Sequence, residues 1–300
     1  MLHAIENEYL RVEADERGAQ LWSIRDRSGA EYLWQGDPAY WGDRALNLFP
    51  YVARLYGSCY EMDGQKYSLP IHGFAPESDF VLAEKTESRM VFELCDSDRT
   101  YAQYPRRFAF RIHYALSGKR IDVCFEVMNR DNRTMHFGLG GHPGFCVPLE
   151  EGKRFEDYLL RFSAPCAPVR VGFSEDCFVS GADRPFALQD ERDVPLSHDL
   201  FDDDAIVLKE MAREVTLLAP QGGRSVTVSF PDMPYLGIWH WPKTDAPYVC
   251  IEPWVSLPAR EGEIAVLERQ ADLIHLPAGE IYRNTWSIAV DDGEPKEESE

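Results

Sequence analysis

The chain has 300 residues, 44% of them hydrophobic and 12% aromatic, which is enough apolar surface for a large core and excludes a wholly disordered protein. It carries 31 Lys and Arg against 51 Asp and Glu, a formal net charge of −20 at pH 7. This charge argues against a nucleic-acid or membrane partner, because binding to anionic polymers and lipids depends on clustered Lys and Arg. No stretch approaches the roughly 20 apolar residues of a membrane-spanning helix.

The first residues and the cysteines predict a cellular compartment. The N-terminal segment lacks the basic and then apolar regions of a secretory signal. Seven cysteines are present, an odd number with no CxxC pair, and this indicates buried free thiols in a reducing compartment. We therefore expect a soluble, cytoplasmic protein. Nothing in the sequence specifies its oligomeric state.

Most of the chain alternates apolar and polar residues with a period of two, which is typical of half-buried β-strands. The alternating segments, in chain order, are 90–94, 108–116, 121–127, 215–217, 226–230, 249–251 and 286–290. Turn-forming pairs such as Ser28-Gly29 and Ser117-Gly118 lie between them. Helical patterns are scarce, and residues 37–48 are the one candidate for a short helix. This pattern predicts an all-β fold, an antiparallel sandwich or barrel.

No linker or change in composition divides the chain, so residues 1–290 are predicted to form a single β domain. The segment 163–205 is rich in proline and polar residues and has weak periodicity, which suggests a long excursion over one face. Residues 291–300 contain six acidic residues and one Lys, and no large apolar residue. Such a segment cannot offset its own ordering entropy, and we expect an acidic disordered tail.

Two histidines lie in glycine-flanked loops, where the backbone can approach a ligand closely. His72 stands in IHGF, and His142 stands in GLGGHPGF with glycines on both sides. A single histidine more often has a structural role than a catalytic one. Because two histidines lie in glycine-flanked loops, a role in proton transfer explains them as well as a structural role does.

Glu252 ends the apolar run YVCIEPW, where partial burial beside a tryptophan would raise its pKa and strengthen it as a base. Trp239 and its aromatic neighbours suit a sugar, because the apolar face of a sugar ring stacks on aromatic rings. Arg54 follows the apolar run LFPYVA and is a candidate hydroxyl donor. Structural alternatives are a surface salt bridge for Glu252 and core packing for the tryptophans.

Several common catalytic motifs do not occur in the sequence. There is no GxSxG elbow, P-loop or dinucleotide fingerprint, and no His or Cys spacing typical of zinc. A carboxylate with two histidines and an arginine can instead move protons on a neutral polar substrate without a nucleophile or a metal.

The chain resembles the galactose mutarotase, or aldose 1-epimerase, family over nearly its whole length. Its order and spacing of short motifs carry the resemblance: NLFPYVARL (47–55), IHGF (71–74), GGHPGF (140–145), CIEPW (250–254) and HLPAGEIYRNTWSI (275–288). The resemblance implies a large antiparallel β-sandwich of the supersandwich type. It also implies a small-molecule sugar as substrate and no cofactor or metal.

The resemblance assigns roles by position. Glu252 matches the base that takes the proton of the sugar C1 hydroxyl, and His142 matches the acid that protonates the ring oxygen. His72 matches a second histidine near that oxygen, and Arg54 a substrate-binding arginine. A sugar-binding carboxylate falls in 200–206, where three consecutive aspartates leave its register open between Asp204, which we favour, and Asp203.

The chain departs from the family pattern at two positions beside the proposed substrate-binding and catalytic residues. Ala53 stands where an asparagine usually precedes the arginine, and Glu252 is followed by Pro-Trp rather than Thr-Gln. These differences predict a divergent branch, so the free aldose on which it acts is not assumed to be galactose. Open alternatives are a hexose-phosphate mutarotase, with Arg106-Arg107 as the basic pocket, and a non-catalytic carbohydrate-binding protein. A glycosidase is disfavoured because it needs two carboxylates.

Overall fold

The structure is a computed structural model that describes residues 1–293. Residues 294–300, most of the predicted acidic tail, lie outside the described residues. The last strand extends to Asp291, one residue beyond the predicted domain end.

The described residues form twenty-four strands and one short α-helix. The strands are β1 Leu2–Glu6, β2 Leu10–Asp15, β3 Leu21–Asp26, β4 Ala45–Leu48, β5 Cys59–Met62, β6 Gln65–Ser68, β7 Val81–Lys85, β8 Arg89–Cys95, β9 Phe108–Ser117, β10 Arg120–Asn129, β11 Met135–Phe137, β12 Gly140–Cys146, β13 Leu159–Phe162, β14 Val169–Arg170, β15 Arg184–Pro185, β16 Asp193–Pro195, β17 Ile206–Lys209, β18 Glu214–Leu218, β19 Ser225–Ser229, β20 Tyr235–Trp239, β21 Tyr248–Trp254, β22 Ala265–Val266, β23 Ile274–Leu276 and β24 Ile281–Asp291. The helix α1 is Asp98–Gln103, and 3₁₀ turns cover Tyr56–Ser58, Ala75–Glu77, Phe155–Asp157, His198–Phe201 and Leu267–Arg269.

Two large antiparallel sheets dominate the fold, which confirms the all-β prediction. One has nine strands in the order β16-β13-β18-β19-β24-β10-β9-β8-β7. The other has seven strands in the order β15-β14-β17-β20-β21-β12-β4. Three smaller sheets, β1-β2-β3, β11-β23 and β22-β5-β6, flank them.

The large sheets face each other across one apolar core, which makes the architecture a sandwich. Phe110 and Phe125 from the nine-stranded sheet belong to the same buried cluster as Ile238 and Ile251 from the seven-stranded sheet. Strand β9 shows the alternation expected for such a sheet, since its buried positions recur every second residue toward its end. Strand β21 differs, because all seven of its residues are buried. Its second face must therefore be covered by something other than the core.

The predicted helix in 37–48 is wrong. Tyr40 and Trp41 donate backbone hydrogen bonds to the carbonyl of Asp37, forming a turn, and Ala45–Leu48 forms β4. Pairing of β4 with β12 fixes the extended conformation, so sheet contacts override the weak local helical pattern.

The cysteine prediction holds only in part. All seven cysteines are free thiols, but Cys250 alone is buried, Cys95 is exposed and the other five are partly exposed. Counting cysteines could not show this, because exposure depends on which face of a strand each one occupies.

The segment 163–205 forms two- and three-residue strands, β14 to β16, and the 3₁₀ turn His198–Phe201, joined by irregular chain. No helix among residues 1–293 is long and apolar enough to cross a bilayer.

Candidate active site

A cleft of about 600 Å³ opens on the face of the seven-stranded sheet that points away from the core. It contains all seven residues singled out from the sequence: Arg54, His72, His142, Asp203, Asp204, Trp239 and Glu252. These residues come from six separate parts of the chain. Sheet pairing and the 163–205 segment bring them together, while their individual roles remain predictions.

Strand register sets the central pair of the cleft. In the β12–β21 ladder Gly140 pairs with Trp254 and Gly144 pairs with Cys250, so the same register sets His142 opposite Glu252. Side chains at opposite positions of antiparallel strands project from the same face. Gly237 of β20 faces Glu252 from the other side, and its missing side chain leaves room for the carboxylate.

The two side chains meet closely at the floor of the cleft. His142 Nε2 lies 3.2 Å from Glu252 Oε2, and the side chains are only 8% and 2% exposed. Neither Glu252 Oε2 nor His142 Nδ1 has an aligned hydrogen-bond partner among the described residues. Buried polar atoms are almost always satisfied, so this pair is arranged for a further partner.

Burial shifts both pKa values in the direction that favours the uncharged side chain. Desolvation, with the charge of Asp204 adding to it, raises the pKa of Glu252 well above its usual range. Desolvation, with nearby His72 adding to it, lowers the pKa of His142 well below its usual range. Both shifts disfavour the ionised pair, in which Glu252 is a carboxylate and His142 an imidazolium.

His72 is held as a neutral donor. The backbone N–H of Ala53 donates to His72 Nδ1 at 3.2 Å, and the backbone N–H of His72 donates to the Ala53 carbonyl at 2.9 Å. Because Nδ1 accepts, the neutral ring carries its proton on Nε2. Burial and the Arg54 charge lower the pKa of His72 to about 4, so the ring stays neutral at physiological pH. Its ring centroid lies 5.4 Å from that of His142.

The backbone around His72 requires glycine at the next position. His72 and Gly73 have φ of 65° and 75°, in the left-handed region. A Cβ on Gly73 would lie 2.3 Å from the carbonyl oxygen of Phe49, closer than any real contact. The glycine next to His72 in the sequence therefore has a steric cause.

Asp204 is held more firmly than Asp203. The thiol of Cys177 donates to Asp204 Oδ2 at 3.1 Å, and the N–H of Ala205 donates to Asp204 Oδ1 at 2.8 Å. Asp204 is half-buried, whereas Asp203 is exposed. This favours Asp204 as the sugar-binding carboxylate. Desolvation, together with hydrogen bonding to Asp204, raises the pKa of Cys177 to about 11.

Arg54 stands at the rim, where it is exposed and donates to the carbonyl of Asp176 at 3.3 Å. Aromatic rings form the walls beside the central pair. Trp41 lies 4.8 Å and Trp239 lies 5.7 Å from the ring of His142, centroid to centroid. These surfaces are suited to the C–H faces of a sugar.

Sequence reasoning missed three residues of the cleft. Cys177 lies in the segment without periodicity, and Trp41 lies in the turn that was predicted as helix. Asp43 also lines the cleft, and burial raises the pKa of its carboxyl despite an opposing contact with the Gln20 side chain. A polar residue within an aromatic-rich, turn-forming stretch (AYWGD) was the available signal for Trp41 and Asp43.

Arg106 and Arg107, which the hexose-phosphate alternative would need as a basic pocket, do not line the cleft. Arg106 is 1% exposed and its Nη1 lies 2.7 Å from Asp63 Oδ2. Arg107 pairs with Asp96 at 2.6 Å. Both cations are neutralised by carboxylates elsewhere in the molecule.

Comparison with known proteins relates the whole chain to a single family. A family model described as aldose 1-epimerase matches residues 1–289. The chromosomal protein LacX of Lactococcus lactis subsp. lactis is 32% identical over 294 residues, which cover 95% of this chain and 98% of LacX.

Solved structures agree with that match. A galactose mutarotase related enzyme from Lactobacillus acidophilus has a TM-score of 0.93 and 32% identity, with 98% of each chain covered. A galactose mutarotase-like protein from Lactobacillus casei has a TM-score of 0.90 and 29% identity, with 97% of this chain and 100% of that chain covered.

Proposed function

The chain belongs to the aldose 1-epimerase family, and we propose that it interconverts the α and β anomers of a free aldose by acid–base opening of the sugar ring. The observation that carries this proposal is the contact between His142 and Glu252. They are adjacent, buried and incompletely hydrogen-bonded at the floor of a cleft.

An adjacent acid and base fit the geometry of a cyclic aldose. The C1 hydroxyl and the ring oxygen are bonded to the same carbon, so the groups that serve them must also be neighbours. Glu252 and His142, which occupy opposite positions on paired strands, meet this requirement without any rearrangement of the backbone.

The proposed reaction balances without a co-reactant. Proton transfer from Glu252 to His142 across their 3.2 Å contact forms the charged pair. Ionised Glu252 then takes the proton of the C1 hydroxyl while the C1–ring oxygen bond breaks, and protonated His142 gives its proton to the ring oxygen. Rotation about the C1–C2 bond turns the other face of the aldehyde toward the new hydroxyl. Ring closure then returns one proton to His142 and one from Glu252 to O1, which restores the starting state.

The remaining cleft residues position the sugar. The Nε2–H of neutral His72 is available to donate to an oxygen of the bound sugar, and Asp204 is available to accept from a hydroxyl. Trp41 and Trp239 provide the apolar walls on which the ring stacks. Arg54, at the rim, is a further hydroxyl donor.

The charge of the cleft favours a neutral aldose over a sugar phosphate. Among the described residues that line it, five are carboxylates and one, Arg54, is a basic residue. The carboxylates are Asp43, Glu77, Asp203, Asp204 and Glu252. A phosphate dianion would meet net repulsion here. Ala53, where the family usually carries asparagine, also offers no side-chain amide to a sugar hydroxyl, which supports a substrate range different from that of galactose mutarotases.

The test is polarimetry on freshly dissolved α-anomers of several aldoses, with and without the protein. We expect at least one aldose to reach anomeric equilibrium much faster than in buffer alone. Sugar binding with no acceleration would overturn the proposal in favour of a non-catalytic carbohydrate-binding protein. Acceleration restricted to hexose 6-phosphates would replace the free aldose by the phosphorylated one.

A further inference from the structure

Three possible metal ligands lie together where His142 and Glu252 line the cleft and Cys250 is fully buried beside them, and the proposed epimerisation uses only two of them. His142, Cys250 and Glu252 each offer a ligand atom within 4.8 Å of the other two, and all three residues are buried. We call these three residues the His-Cys-Glu cluster.

The sheet accounts for this cluster. Cys250 and Glu252 are two residues apart on β21 and project from the same face, and His142 stands opposite Glu252 on β12. Gly144 occupies the position opposite Cys250 and contributes no side chain between the thiol and His142. The ligand atoms therefore come from neighbouring positions on paired strands, although His142 is far from Cys250 and Glu252 in the sequence.

The donor set is that of a zinc site. Imidazole nitrogen, thiolate sulfur and carboxylate oxygen are the ligands zinc prefers, and three protein ligands leave a fourth position open. Bonds of about 2.0 to 2.3 Å in a tetrahedral site hold the ligand atoms about 3.5 Å apart. His142 Nε2 and Glu252 Oε2 are 3.2 Å apart, and the ligand atoms of all three residues lie within 4.8 Å of one another, so binding requires side-chain rotation that brings them to about 3.5 Å.

We infer that the His-Cys-Glu cluster binds Zn²⁺ or a similar thiophilic divalent cation, and that this cation blocks the proposed epimerase reaction. The inhibitory part rests on the proposed function, because the cation would bind the same two side chains that transfer protons. A sugar and the cation would then compete for the floor of the cleft.

Charge balance supports a divalent cation in this buried place. Binding releases the Cys250 thiol proton, and the resulting thiolate and the Glu252 carboxylate together carry two negative charges that the cation neutralises. The buried cluster becomes neutral overall, which removes the cost of an isolated buried charge. The cation would also occupy the carboxylate oxygen, Glu252 Oε2, that lacks a hydrogen-bond partner among the described residues.

The first experiment titrates Co²⁺, a coloured substitute for Zn²⁺, into chelator-treated full-length protein. We expect one ion per chain and a near-ultraviolet band from thiolate-to-cobalt charge transfer, both removed by Zn²⁺. Cys250→Ala should lose the band and weaken binding about 100-fold or more, while Cys95→Ser, which removes an exposed thiol, should match the wild type. Cys250→Ser serves as a second variant that keeps the side-chain volume.

The second experiment measures anomer exchange with increasing Zn²⁺. Wild type and Cys95→Ser should be inhibited, whereas Cys250→Ala should stay active at about 100-fold higher Zn²⁺. Equal Co²⁺ affinity in wild type and Cys250→Ala, or a spectrum without the thiolate band, would overturn the metal site. Cys250-dependent binding in a protein without anomer exchange would support the site and overturn the proposed function instead.

Discussion

At the scale of single residues, burial makes Glu252 and His142 chemically unusual. Desolvation disfavours the charged form of each, which raises one pKa and lowers the other. A buried carboxylate also has a cost for folding, and that cost can be measured.

Glu252→Gln should stabilise the protein at alkaline pH. Because the folded-state pKa of Glu252 is raised, its cost is absent below the unfolded value of about 4.3 and appears as pH rises above it. Removing the charge should increase the free energy of unfolding by about 1–3 kcal/mol at pH 8 and leave it nearly unchanged at pH 4. Urea unfolding at both pH values measures this, with exposed Glu151→Gln as the control. Unchanged or lower stability of Glu252→Gln at pH 8 would contradict the assigned burial cost.

His72→Ala should slow anomer exchange by about 10- to 100-fold, because it removes the neutral Nε2–H donor. The shape of the pH–rate profile between pH 5.5 and 8 should not change, since the pKa of His72 is about 4 and the ring does not titrate there. His198→Ala is the control, as His198 pairs with His240 outside the cleft. A wild-type rate in His72→Ala would exclude His72 from the reaction.

The central residues could be identified from the sequence because a polar side chain inside an apolar or glycine-rich run is costly to bury and therefore indicates a specific role. His142 and Glu252 both satisfy that criterion. Trp41 and Cys177 were missed because they become part of the cleft only through contacts between distant segments. The proximity of Cys250 to His142 likewise depends on the β12–β21 register, which short-range zinc motifs do not capture.

At the scale of elements, glycines in β12 and β20 allow the site to form between closely packed strands. Gly140 lies against Trp254, and Gly237 lies against Trp254 and Glu252. Gly141, on the core side of β12, lies against Trp286 of the nine-stranded sheet. The strand that carries His142 is therefore packed tightly on both faces, which fixes the imidazole relative to Glu252.

Gly141→Ala should reduce the free energy of unfolding by about 1–3 kcal/mol through overpacking. The added Cβ would lie 2.5 Å from the Trp286 ring. Gly42→Ala is the matched control, because no atom lies within 4 Å of its added Cβ. Thermal or urea unfolding of both variants checks this, and equal stability of the two would show that β12 is not tightly packed against the opposite sheet.

Long alternating strands such as β9 and β10 were predictable because one face is apolar and the other polar. The turn at Ser117-Gly118 joins them as expected, with Gly118 at a φ of 60°. The helix expected in 37–48 failed because pairing with β12, not local pattern, decides that segment. The short strands β14 to β16 have too few residues for any period to be visible.

At the scale of the whole molecule, the net charge of −20 repels anionic substrates and has no such effect on neutral ones. The nine- and seven-stranded sheets could be anticipated as an all-β fold, but their strand order could not, because pairing across the chain leaves no local signal. The acidic cleft adds its own repulsion to that of the whole surface. Capture of a sugar phosphate should therefore depend on salt, and capture of a neutral sugar should not.

The ratio kcat/KM for a free aldose should exceed that for its 6-phosphate at low salt. Raising ionic strength from about 0.01 to about 0.15 M shortens the Debye length from about 30 to about 8 Å. This should raise kcat/KM for the phosphate ester and leave that for the free aldose unchanged. Coupled or NMR assays of both sugars at both salt concentrations measure it. A phosphate ester favoured at low salt would show that an unrecognised basic site outweighs the acidic cleft.

The measurement that tests the account most directly is two-dimensional exchange NMR on an equilibrated aldose with Glu252→Gln. The account predicts that wild type exchanges the α and β anomers far above the spontaneous rate. Glu252→Gln should reduce the enzymatic rate about 100-fold or more while still binding the sugar, as followed by fluorescence of the cleft tryptophans. Exchange at the wild-type rate by a folded Glu252→Gln would contradict the claim that Glu252 is the base.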